Sequence, residues 1–366
     1  MAKYKLNRSF FQAGAERFET VLSGGIPDRV PVAAQMHEFS MRQKDLNVRE
    51  FYTNAKVFVP AVLENMEKYG IDIPFLDFDI YNIEVEGIGQ KIKYSDENMP
   101  DVDPHDRLLK DKSNLKKIKT PNFETDGRFA NVVEMYRLFH KLTGVKPVMR
   151  FTAPFSMATH LRGVDTLILD IYDDPAWVNE LFTGLTEKVL APYLLYLKQH
   201  VANDYAGHGI GGADAMASPP LLSPEMLKEW VVPHFLRLRE LVGPEVYLPN
   251  WWGDSYFKKP EDMFDLKLKV CPAFLEVQDP DVEIIGPEIC KEYATKHNIP
   301  LVIGLGSAFL GTAKPDEVYD RVKQYVQVGG ENGGFYLYLC NIGATTPVEN
   351  VVAAMEAVEK YGTYQS

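Results

Sequence analysis

Short apolar runs alternate with longer segments of helical period along almost the whole chain, and this restricts the possible folds more than any other feature. Eight such runs stand out, at residues 29–36, 73–78, 146–151, 209–214, 246–250, 274–277, 301–305 and 335–340. Between them lie segments with apolar residues at three- and four-residue spacing, clearest at 129–142, 175–201 and 351–361. Strands apolar on both faces and separated by helices form parallel sheets, because each crossover helix covers the sheet to which the chain returns. Eight such units predict an α/β fold, a closed (β/α)8 TIM barrel. Residues 10–21 predict an N-terminal helical extension that caps the barrel floor. Segment 84–123 breaks the alternation, being charged and carrying Pro100, Pro104 and Pro121. It reads as an insertion after the second strand, with a hairpin around Gly87 and Gly89. No repeat of fixed period and no shift in composition divides the 366 residues, so 1–366 reads as a single domain.

Charge and cysteine content narrow the class of function. Lys+Arg 39 against Asp+Glu 51 leaves a net charge of −12, which argues against unspecific binding to nucleic acid or to anionic lipid. No apolar run reaches the roughly eighteen residues of a membrane span. Three scattered cysteines, Cys271, Cys290 and Cys340, make no disulfide framework, and the first residues contain no apolar leader segment. A cytoplasmic protein with a small-molecule or protein partner is expected, and a homodimer is compatible with this reading. Aromatic residues make up 12% of the chain, enough to fill a core or to wall a pocket for a flat ligand. Gly304 and Gly306 lack the spacing of a dinucleotide fingerprint, and no phosphate loop, Gly-x-Ser-x-Gly elbow or His-Glu-x-x-His occurs.

In a barrel the loops after the strands converge on one mouth, while the opposite face serves stability. The strand ends therefore nominate Gln35 and His37, Asp77 and Asp79, Arg150 and Thr152, Asp214, Asn250 with Trp251, Trp252 and Asp254, Glu276, Gly306 with Ser307, and Cys340 with Asn341.

Several of these strand ends carry phrases that resemble the uroporphyrinogen decarboxylase superfamily, which includes cobalamin-dependent methyltransferases. DRVPV at 28–32 resembles the opening strand of the family and KPVMRFTAPF at 146–155 its third. GGADAMASPPLLSPEMLKEWVVPHF at 211–235 is the most specific match, a strand-end aspartate followed by a loop and Ser223-Pro224-Glu225 at a helix start. That tripeptide has a local reason: serine caps free amides, proline suits the first helical position and glutamate favours the positive end of the dipole. GLGSAFLGTAKPDEVYDRVKQYV at 304–326 and LCNIGATTPVENVVAAMEAV at 339–358 continue the resemblance over nearly the whole chain.

Departures separate the branches of the superfamily. Uroporphyrinogen decarboxylases carry an arginine-rich first strand end, whereas this chain reads AAQMHEFSMRQ with Arg42 alone. Thiol-alkylating members hold zinc through a His-x-Cys after strand five and a Cys after strand eight. Here Asn250 and Trp252 occupy the first pair, and only Cys340 remains. What remains resembles the methyltransferase component of corrinoid-dependent O-demethylases, which moves a methyl group from an aryl methyl ether to the cob(I)alamin of a partner corrinoid protein. The resemblance also implies a zinc spacing Glu-x14-Glu-x20-His, present as Glu261, Glu276 and His297. His297 precedes a strand and so falls on the stability face. Methylcobalamin-to-acceptor transfer, to a pterin or a thiol, and a decarboxylase of some smaller acid remain as alternatives.

A phenoxide is a poor leaving group, so ether cleavage calls for a proton donor or Lewis acid at the oxygen. For this chemistry the expected catalytic residues are His37, Asp214 and Glu276, and the expected substrate-binding residues are Arg150, Asn250, Trp251, Trp252 and Cys340. Each has a plainer alternative. His37 either serves the substrate or bonds to the backbone, and Arg150 pairs a substrate carboxylate or an internal Asp77 or Asp214. Asp214 binds substrate or caps a loop, and Glu276 is acid, base, ligand or salt-bridge partner. The tryptophans stack on the ring or pack the rim, and Cys340 is a ligand or a small buried hydrophobe.

Overall fold

The computed structural model describes residues 5–72, 76–95, 98–201 and 209–364. Nine strands occur among them: β1 Val32–Ala34, β2 Ile92–Lys93, β3 Asp101–Val102, β4 Met149–Thr152, β5 Ile210–Ala213, β6 Val246–Asn250, β7 Leu275–Gln278, β8 Leu301–Leu305 and β9 Phe335–Leu339. Seven of them form two parallel arcs, ordered β1-β9-β8-β7 and β4-β5-β6. Both arcs face one shared interior, as expected of a barrel, and both contribute walls to a hollow within it. Strands β8 (LVIGL) and β9 (FYLYL) are buried throughout, because the interior covers one face and helices cover the other.

The helices follow the sequence periodicity. The floor helix Arg8–Leu22 is capped by Asn7, whose side chain accepts the Ser9 N–H at 3.1 Å, and it buries Phe11, Ala15, Phe18 and Val21. Gly14 lets this helix approach the chain at Asp72, since a Cβ there would lie 2.2 Å from the Asp72 carbonyl oxygen. The Asp72 carboxylate clamps the contact, accepting from Arg17 at 3.0 Å, Arg29 at 2.7 Å and the Val32 N–H at 3.1 Å. Helices Phe129–Thr143 and Val348–Tyr361 lie close to where the apolar period places them, and a further helix spans Pro315–Gly329. The long helical stretch from Pro175 to Val201 is continuous, with a π turn at Leu185–Leu190. No helix among the described residues is long and apolar enough to cross a membrane.

One expectation needs correction, and another is covered only in part by the described residues. The hairpin expected at Gly87 and Gly89 lies further on, as the ribbon β2-β3, because Gly87 is the last residue of helix Ile80–Gly87. A Cβ at Gly87 would meet the Phe129 ring at 2.0 Å, so the glycine serves packing and not a turn. Of the expected second strand at 73–78, residues 73–75 lie outside the described part, and 76–78 form no strand. The Asp72 N–H does bond to the Val32 carbonyl at 2.9 Å, so the chain enters this region beside β1. On the β4 side the edge is met by side chains: the Arg150 N–H donates to the Tyr136 hydroxyl at 2.7 Å and the Thr152 N–H to Glu84 Oε1 at 3.1 Å. Buried amides must be satisfied, and here a phenol and a carboxyl do what a neighbouring strand does elsewhere.

Candidate active site

Inward residues alternate along each strand, and register aligns them into layers. Gln278, Gly304, Tyr338 and Ala33 are in register across β7, β8, β9 and β1, and Glu276, Val302 and Tyr336 form the layer beneath. On the opposite arc Arg150 is in register with Gly211 and Tyr247.

Glu276, Gln278 and Cys340 make one polar chain. Gln278 donates its amide N–H to Glu276 Oε1, and the Cys340 thiol donates to Gln278 Oε1 at 2.9 Å. Burial pushes the Glu276 carboxyl up, against the opposing pull of Gln278, Arg150 and Lys267, and it also raises the Cys340 thiol far above its usual range. Glu276 therefore carries its proton further toward neutral pH than an exposed glutamate, and Cys340 stays a thiol. A second chain leads from Tyr338 to Gln35 Oε1 at 3.4 Å, from Gln35 Nε2 to His37 Nε2 at 3.3 Å, and from His37 Nδ1 to the Tyr52 hydroxyl at 2.7 Å. Burial drives the His37 imidazolium down to about 3, so the ring is neutral and orients its neighbours instead of supplying a proton.

A cavity of about 250 Å³ lies beneath this layer. Arg150, Asn250, Glu276 and Tyr338 line its upper part, and Phe18, Leu22, Val148, Phe274 and Tyr336 line the lower part toward the floor helix. The structure thus gathers three predicted residues, Arg150, Asn250 and Glu276, around one hollow. Arg150 is set against the charges of Asp77 and Glu276, which favours the internal-pair reading with Asp77; the Asp77 carboxyl is pushed up to about 6 by burial, opposed by Arg150.

Other predicted residues lie elsewhere. Asp214 is 1% exposed, and its Oδ1 accepts the Ser156 N–H at 2.7 Å in the first turn of helix Pro154–Arg162. Its Oδ2 has no partner among the described residues, and burial pushes the carboxyl up to about 7. Trp251 is buried and donates its indole N–H to the Ala217 carbonyl, and the Trp252 N–H meets Ser218 Oγ at 3.4 Å, so the pair belongs to the rim and not to the cavity wall. Asp79 forms a two-pronged pair with Arg128 at 2.9 and 2.6 Å, and Asp254 pairs with buried Lys267 at 2.7 Å. Both are structural.

The proposed zinc triad is not assembled. Glu276 lies inside the barrel, whereas Glu261 and His297 are exposed on the outer helices Pro260–Val270 and Pro287–His297, the histidine ring stacked on Tyr293 with centroids 4.1 Å apart. Among the described residues no group of three or more His, Cys, Asp or Glu side chains is placed to hold a metal. Asn250, Trp252 and Cys340 offer a single sulfur, which is too few soft donors for a tetrahedral zinc site. The residues present do not fit zinc, and no step below runs through it.

Sequence reasoning assigned no role to Gln278, Tyr336 or Tyr338. The signal was present: Tyr336, Tyr338 and Cys340 share a face at two-residue spacing, as do Glu276 and Gln278.

The sequence profile of the uroporphyrinogen decarboxylase (URO-D) family matches residues 13–361. A methylated-thiol–coenzyme M methyltransferase of Methanosarcina mazei is 26% identical over 355 residues, covering 92% of this chain and 86% of the relative. A solved structure of a methyltransferase from Methanosarcina mazei superposes with a TM-score of 0.74 at 20% identity, over 95% of this chain and 98% of that one. At that identity the likeness speaks for the fold.

Proposed function

The chain belongs to the uroporphyrinogen decarboxylase family, and we propose that within it this protein is a methyltransferase that moves a methyl group from an aryl methyl ether to the cob(I)alamin of a partner corrinoid protein. The observation that carries this reading is Glu276, a buried carboxyl held toward its protonated form at the upper edge of a hollow walled by aromatic rings.

The corrinoid supplies the nucleophile that takes the methyl carbon. This chain has to hold the ring, keep water away and deliver a proton. As the C–O bond breaks, its electron pair passes to the aryl oxygen, and the Glu276 proton moves to that oxygen, so that the leaving group is a neutral phenol. Gln278 holds the carboxyl in place through Oε1 and is itself held by Cys340. Lys267 donates to the Glu276 main-chain carbonyl at 2.7 Å and fixes the strand beneath the acid. The phenol formed has an acidity like that of tyrosine, pKa about 10, so the proton stays on it at neutral pH.

Relatedness to a methyltransferase supports the reaction class. The thiol specificity in that relative's name fits this chain less well, because Cys340, the cysteine in the polar chain with Glu276, is a neutral thiol engaged with Gln278. The test is Glu276→Gln, assayed with a methoxyarene and reduced corrinoid protein. The variant should slow methyl transfer by roughly 10² to 10⁴ while binding the methoxyarene within a few fold of wild type. Full activity in Glu276→Gln, or transfer only from a methylated thiol, would refute the proposal.

A further inference from the structure

Barrel enzymes ordinarily load their substrates at the mouth, where the loops after the strands converge. The hollow in this chain opens at the other end. Its lining residues divide by exposure along the barrel axis. Leu22 at the end of the floor helix, Val148 just before β4, Ala273 and Phe274 just before β7, and Tyr247 near the start of β6 are partly exposed. Arg150, Asn250, Glu276 and Tyr338, further along their strands, are all buried. Among the described residues the way into the hollow is therefore through the floor.

Leu22 stands at the boundary. Besides the hollow it lines an outer groove, together with the exposed Ser23 and Asn298. The side chains beside it at the opening, Val148, Ala273 and Phe274, are apolar, so a neutral ring passes them without stripping water from any charged group. Gly209 leaves room for the Tyr247 ring at the same level, since a Cβ there would lie 2.8 Å from it. Toward the mouth, on the side of β7 and β9, the hollow is bounded by a polar chain in which Gln278 donates to Glu276 and Cys340 to Gln278.

Resting on the reading above, we propose that the methyl donor enters and leaves through the floor, past Leu22, and that the mouth is left to the corrinoid protein. Donor and corrinoid then reach the reacting carbon from opposite ends of the barrel, and neither has to leave before the other binds.

The test uses the full chain and 2-methoxyphenol without any corrinoid. Calorimetry gives Kd, and relaxation dispersion of the methoxy proton signal gives the rate of release. Leu22→Trp narrows the opening and should slow association and release together by about tenfold or more, with Kd within about threefold of wild type, because an entrance alters the path and not the bound state. Leu22→Ala widens it and should speed release by about threefold or more, which keeps the test open if the bulky variant misfolds. Ser307→Trp adds the same bulk at the mouth after β8 and should leave both rates as they are. Rates unmoved by either Leu22 variant, slower release in Ser307→Trp, a Kd that weakens while release stays fixed, or no binding to the wild type would overturn the inference. The two readings fail separately. Methyl transfer with exchange controlled by Ser307 would sink this one and leave the reaction standing, whereas exchange controlled by Leu22 without transfer would do the reverse.

Discussion

Replacing Glu84 with glutamine probes how the edge of β4 is satisfied. Glu84 is 1% exposed; its Oε1 accepts the Thr152 N–H at 3.1 Å and its Oε2 has no partner among the described residues. Burial pushes the carboxyl from the ordinary 4.5 up to about 8. The folded chain therefore binds this proton across a window where the unfolded chain has released it. The stability it lends is fully present below pH 4.5, declines as pH rises through the window, and is lost above about 8. Each pH unit removes about 1.4 kcal/mol, so between about pH 5.5 and 7.5 the wild type loses roughly 2.7 kcal/mol through this group. Glutamine keeps the acceptor for Thr152 and cannot ionise. The stability of Glu84→Gln relative to wild type should therefore grow by about that amount, while Asp77, Asp214 and Asp254, which titrate in both proteins, cancel in the difference. Urea unfolding followed by tryptophan fluorescence at the two pH values measures it. A difference that stays constant would mean that Glu84 is ionised in the folded protein, and the account of the β4 edge would fall.

Lys267→Met leaves Asp254 buried without its 2.7 Å partner and removes the donor to the Glu276 carbonyl, and should cost about 3–5 kcal/mol in the same unfolding assay. A loss under about 1 kcal/mol would show that Asp254 is already neutral. Gly14→Ala drives a methyl to within 2.2 Å of the Asp72 carbonyl oxygen, so the floor helix must shift at a cost of about 1–3 kcal/mol; unchanged stability would mean that the contact is looser than described.

Much of the architecture was legible in the sequence because strands buried on both faces are written as apolar runs. Runs 246–250 and 301–305 coincide with β6 and β8 residue for residue. Of segment 73–78, the described residues 76–78 form no strand, because an apolar run does not reveal what satisfies the amides beside it, and Tyr136 and Glu84 come from helices elsewhere in the chain. Gly87 misled for a related reason: glycine marks turns, and it also marks places where a ring must come close. The metal spacing failed physically, since regular separation along the chain places Glu261 and His297 on outer helices and Glu276 inside. The strand-end rule nominated Arg150, Asn250 and Glu276, but Arg150 and Glu276 are the second residues of β4 and β7 and line a hollow that reaches the floor helix, and Gln278 and Tyr338 required two-residue alternation to be followed into the interior.

In the proposed reaction the barrel presents an ether-bound methyl group to an external corrinoid and protonates the departing oxygen. Its most direct test is single-turnover mixing of the chain, 2-methoxyphenol and a cob(I)alamin-loaded corrinoid protein, with catechol and methylated corrinoid measured together. Both should form in equal amounts, and neither should form when the chain is omitted. Methylated corrinoid appearing with a methylated thiol and not with the methoxyarene would contradict it.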